Sequence, residues 1–140
     1  MSMALKARAR LINSEHFVTG YYICLEETTF CFEDEISEEE RKNNKKHYIV
    51  YDSMTDWNLP NQHLRAEVDG DTVCMCSDMA DNNHKLIYEN DIVSCYLKKY
   101  NGIVKFNDGC FDIEFEDGSR DYLKCYVANH AINVIGNIFD

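Results

Sequence analysis

Alternation of apolar and polar residues recurs along the chain. In Leu5-Lys6-Ala7-Arg8-Ala9-Arg10-Leu11 the apolar residues share one face and three cations share the other, which predicts a half-buried strand. After a turn at Asn13-Ser14-Glu15, residues 17–25 are rich in β-branched and aromatic types and predict a second strand, the two forming an N-terminal hairpin. Residues 28–32 are compatible with a continuation of that sheet. Residues 46–52 and 63–68 predict two more strands around the turn-rich connector 56–61. Residues 33–46, EDEISEEERKNNKK, break the alternation. Acids precede bases, which suits a helix dipole, and Ser37 with Glu40 fits a capping box, so a short helix and a solvated loop both fit.

The C-terminal part is patterned more sharply. Strands are expected at 92–97, 102–106 and 110–115, with a turn at Asn107-Asp108-Gly109. Phe111, Ile113 and Phe115 point one way; Asp112, Glu114 and Glu116 point the other. After Asp117-Gly118-Ser119, residues 121–127 read as another strand, and 132–139 as the last. Five or six short strands in about 60 residues predict a small barrel or roll. The expectation is an all-β protein with a soft boundary near 70–80, dividing it into a portion 1–70 and a portion 71–140.

Composition narrows the function classes. The 140 residues fit one ordinary domain or two small ones, and 45% hydrophobic with 28% charged residues is ordinary for a globular protein. Acidic residues number 25 against 14 basic, a net charge of −11. Such a surface repels nucleic-acid phosphates and anionic membranes, and suits solubility or docking onto a basic protein surface. No apolar run reaches the roughly 20 residues of a membrane span, and no signal peptide is read at the N-terminus. Seven cysteines, an odd number, read as reduced cytosolic thiols.

Three blocks carry a family resemblance. DNNHKLIYENDIV (81–93), GIVKFNDGCFDIEF (102–115) and INVIGNIFD (132–140) are similar to the YopX family pattern D-x-N-G-x-x-I-Y-E-G-D-I-V, G-x-V-x-F-x-x-G-x-F and x-V-I-G-N-I-Y/F-E. AEVDGDTV (66–73) and LKARARLINSEHFVTGYYICL (5–25) resemble its upstream segments. The resemblance implies a phage or prophage protein acting in a bacterial cytoplasm, with a C-terminal SH3-like barrel and no catalytic residues to carry over. His84 and Asn90 stand where the family has Gly, and Gly at such turns often adopts positive φ. Asn tolerates that backbone; His is less comfortable in it. Ser77-Asp78-Met79 replaces the family's T-G-L.

Candidate chemistry is sparse. Cys74-x-Cys76 has a spacing of one and no second ligand pair, so buried thiols are the expectation over zinc. His16, His47, His63, His84 and His130 sit near predicted turns or strand ends, and none is tied to a particular cysteine. Lys6, Arg8 and Arg10 form a basic strip expected to pair with acids of a neighbouring strand. No enzyme activity, metal or cofactor is expected. The binding residues anticipated are Glu33, Asp34, Glu35, Glu38, Glu39, Glu40, Trp57, Asp112, Glu114 and Glu116. The expected role is a non-catalytic accessory protein that binds a host protein with a basic surface, such as a CRISPR nuclease or another nucleic-acid-binding defence factor. The alternatives are a nucleic-acid- or small-ligand-binding barrel, and a thiol or metal-dependent enzyme. Nucleic acid and membrane are disfavoured as partners, and an exposed sheet edge leaves room for a homo-oligomer.

Overall fold

The computed structural model describes residues 6–32 and 35–140. They fall into two compact units, one ending at Val73 and one starting at Cys74. Among the described residues no helix is long and apolar enough to cross a membrane.

The first unit contains β1 (Lys6–Arg10), β2 (Phe17–Glu26), α1 (Glu38–Asn44), β3 (Lys45–Ser53) and β4 (Gln62–Val68). The strands lie in the order β4-β3-β2-β1, antiparallel throughout. The alternation of β1 works as expected: Ala7 and Ala9 are buried with Ile49 and Val68, and Leu11, Val18 and Val73 pack around them. Small alanines on β1 leave room for this close packing. Residues 28–32 do not extend the sheet. Asn44 ties off the connection between β2 and β3 at its base, accepting from Thr28 N (3.0 Å) and donating to Thr28 O (2.7 Å). The short helix forms behind the anticipated capping box, with Glu40 N donating to Ser37 Oγ and Ser37 N to Glu40 Oε2.

The second unit contains β5 (Cys74–Ala80), β6 (Leu86–Tyr88), β7 (Asp91–Cys95), β8 (Gly102–Asn107), β9 (Cys110–Phe115), β10 (Arg120–Tyr122), α2 (Leu123–Ala128) and β11 (Ile132–Asn137). β5 and β6 pair as a hairpin, and the other five strands form a sheet in the order β10-β9-β8-β7-β11. The β8–β9 loop is two residues, Asp108 and Gly109, both at positive φ, the geometry that matches strand twist. Ile87, Val93, Val104, Ile113, Phe115, Leu123 and Ile132 centre the core.

Two expectations are corrected here. The second unit is not a closed barrel, because β10 and β11 end the sheet and are not paired with each other. The protein is mostly β rather than all-β. Residues 123–127, expected as strand, coil into α2 and carry the chain from one end of the sheet to the other. The helical spacing decides this: Leu123 and Tyr126 are buried at i and i+3, with Val127 packed at i+4.

The DNNH block is a clamp. Asp81 Oδ1 accepts from Asn83 N and Lys85 N, and its Oδ2 from Val134 N, each at 2.9 Å. Burial pushes this carboxyl up, but the three backbone donors and the Lys85 charge outweigh that and hold it below its ordinary value. His84 and Asn90 both adopt the positive φ expected at the glycine positions, 63° and 67°. Asp78, in the segment that departs from the family pattern, also turns to positive φ.

Candidate binding surface

Strand register sorts the side chains of the first unit onto two faces. One face carries the small core. The other is open, since none of its residues is buried. β1 contributes Lys6, Arg8 and Arg10, which stand opposite Tyr21, Thr19 and Phe17 of β2. β2 continues with Ile23 and Leu25, opposite Tyr48 and Lys46 of β3. Val50 and Asp52 complete β3 and face Arg65 and His63 of β4, with Glu67 opposite Tyr48.

The centre of this face is apolar. Tyr21, Ile23 and Leu25 are 40%, 36% and 45% exposed, although β3 pairs with β2 along all three and β1 pairs as far as Tyr21. Pairing with β3 fixes these side chains on the sheet face, and apolar side chains left in water there mark an unpartnered face. The rim is cationic. Among the described residues the face holds five Lys or Arg against two carboxylates, Asp52 and Glu67, a local charge of +3 in a protein of net −11. The cations are held in place by their neighbours. Arg8 lies over the Phe17 ring at 5.6 Å and Arg65 over Tyr48 at 4.8 Å. Arg10 meets Asp69 at 3.8 Å and Lys46 meets Glu67 at 3.8 Å. His63 Nδ1 lies 2.8 Å from Asp52 Oδ1.

The anticipated binding residues are scattered by comparison. Glu33 and Asp34 lie outside the described residues. Glu35, Glu38, Glu39 and Glu40 are exposed on or beside α1, but Glu40 is engaged in the capping box. Trp57 is 82% exposed, its backbone N–H held by Asp56. Asp112 and Glu114 do share a face, but they stand opposite Lys105 and Arg120 respectively, so that strip is mixed in charge. Glu114 and Glu116 line a shallow cavity of about 290 Å³ with Lys105, Ile92, Ile103 and Phe115. That volume is at the low end for a small-molecule site.

The remaining candidates resolve individually. Cys74 and Cys76 point the same way and pack with Tyr88 and Phe139. Among the described residues no group of three His, Cys, Asp or Glu is arranged to hold a metal ion. His47 stands opposite Cys24, the one pairing of these residue types that register shows. Its Nδ1 is engaged by the Tyr22 hydroxyl at 2.6 Å, and the two rings stack. Burial, with Cys24 alongside, raises the Tyr22 pKa. Burial and the Asp121 charge push the Cys95 thiol up to about 11, which keeps it protonated and inert at neutral pH.

Comparison with known proteins bears on most of both units. A family model described as YopX protein matches residues 16–140. The chain belongs to the YopX family. Among curated proteins none matches it. The YopX match covers the Asp81 clamp, the β8–β9 hairpin and the closing strand β11, the parts that set the fold of the second unit. It also covers β2, β3 and β4, but not β1 with its three cations. Of the open face, the sequence singles out Lys6, Arg8, Arg10 and His63, but not its apolar centre. The missed signal was the unbroken apolar run from Tyr21 to Leu25, which is apolar on both faces where a half-buried strand alternates.

Proposed function

We propose that this YopX-family chain is a non-catalytic binding protein, and that it docks on another protein through the open face of its first sheet. The observation that carries this reading is the trio Tyr21, Ile23 and Leu25, left in water together on one sheet face and rimmed by cations. An apolar centre with a polar rim is the anatomy of a protein–protein interface. Stacked Arg–aromatic pairs add rigid anchors at that rim. The phage or prophage setting implied by the resemblance fits an accessory protein aimed at a host factor in the bacterial cytoplasm, including a defence protein.

This reading moves the docking surface away from the acidic residues. Asp112 and Glu114 face Lys105 and Arg120, which blunts an acidic strip as a lure for a basic partner. The test is capture of partners from a bacterial lysate by tagged protein in three forms. The Tyr21→Thr/Ile23→Thr variant is expected to lose specific capture at least tenfold, while Asp112→Lys/Glu114→Lys keeps it. Thr preserves strand propensity at both positions, so the sheet survives. The opposite pattern, with capture lost only on reversing the acids, would return the site to the acidic strip.

A further inference from the structure

The same chain carries a surface complementary to its open face. Phe30 and Phe32 lie in the connection between β2 and β3, outside any helix or strand, at 41% and 72% exposure. Both offer aromatic surface to a partner. The Asn44–Thr28 hydrogen bonds close the base of that connection, and Glu27 N donates to Asn44 O at 3.0 Å. Residues 28–32 leave that base outside the sheet. The charge along this arm is negative: Glu35, Glu38 and Glu39 are all exposed. The arm is aromatic and acidic where the face is apolar and basic.

Resting on the reading of the face as a docking surface, we infer that in the absence of a foreign partner its occupant is a second copy of this chain, whose Phe30–Phe32 arm seats on Tyr21, Ile23 and Leu25 until the partner displaces it. The phenylalanines would cover the apolar centre, and the arm's glutamates would meet Lys6, Arg8 or Arg65 at the rim. The exchange is reciprocal, arm to face and face to arm, so it closes as a two-fold dimer instead of propagating. Apolar burial supplies most of the affinity. The charges set orientation and make the dimer salt-sensitive, since they overcome locally the repulsion between two chains of net −11.

The experiment is sedimentation of the full chain under reducing conditions, which removes disulfide-linked dimers, across protein concentration and at two salt concentrations. Wild type is expected to dimerise reversibly, with a dissociation constant rising about fivefold or more from low to high salt. Phe30→Ser/Phe32→Ser removes the arm contact and Tyr21→Thr/Ile23→Thr removes the face. Each is expected to be monomeric, with Arg65→Glu as a second face variant should the first fold poorly. Mixing the arm variant with the face variant is expected to restore a complex, because one intact arm then meets one intact face. A dimer of surface origin elsewhere would not show that complementation. A monomeric wild type, a dimer indifferent to both pairs, or no complex on mixing overturns the inference. If wild type is monomeric while Tyr21→Thr/Ile23→Thr still abolishes capture of a foreign protein, only the occupant is wrong. If the face variant changes neither, the docking reading itself falls.

Discussion

His84 holds a left-handed backbone, φ 63°, that costs a side chain with a Cβ roughly 1–2 kcal/mol. Glycine removes that strain but adds about 0.5–1 kcal/mol of unfolded-state entropy. His84→Gly is therefore expected to stabilise the protein by about 0.5–1 kcal/mol, read as a higher urea midpoint with unchanged slope. Asp81 is the opposite kind of residue. Its two oxygens satisfy three backbone N–H groups, one of them Val134, 53 positions away. Its folded pKa lies below the ordinary 3.8, so its stabilisation is complete above that value and is lost as pH falls through the lowered one. Asp81→Asn turns one acceptor into a donor facing a donor. It should cost about 1–3 kcal/mol at neutral pH and flatten the acid limb of the stability profile. A variant with an unchanged acid limb would show that other carboxylates control it. The strain at His84 was legible in the sequence, because a glycine position in the family pattern is filled by His. The clamp was not, because its third partner is distant in the chain.

At the level of elements, alternation and strand-favouring composition located β1 to β4, β7 to β9 and β11 but left β5 and β6 unplaced, and Ser37 with Glu40 marked the start of α1. The strand reading failed at residues 123–127. The run Tyr122-Leu123-Lys124-Cys125-Tyr126-Val127 is rich in strand-favouring residues, yet its burial falls at i, i+3 and i+4. Local propensity and packing disagree there, and packing against the core wins. Gly102 shows what the sheet needs in return. A Cβ at this position would run into the Ile113 Cγ2 methyl on the neighbouring strand, with Phe115 next in line. Gly102→Ala is expected to destabilise by about 1–3 kcal/mol, through overpacking rather than backbone strain. Calorimetry reads this as a lowered Tm, and an unaltered Tm would mean that β8 and β9 separate at little cost.

Taken over the whole chain, charge is informative only once it is placed. A net of −11 predicts repulsion from anions everywhere, but register gathers five cations on one sheet face. Lys6 and Arg65, 59 positions apart in the chain, end one row across that face with Tyr21 and Val50 between them, which no local pattern encodes. The acidic residues were easy to see because they are contiguous, and contiguity is a property of the chain rather than of the surface. If the open face is where this YopX-family protein meets its partners, those side chains must lose solvent on binding and others must keep it. Hydroxyl-radical footprinting of the full chain reads that directly, comparing dilute protein with concentrated protein and with protein in lysate. Tyr21, Ile23, Leu25 and Tyr48 are expected to lose reactivity in a bound state, while Trp57 and Leu97 keep theirs. Unchanged reactivity on the sheet face, with protection at Trp57 or along Asp112, Glu114 and Glu116, would contradict the assignment.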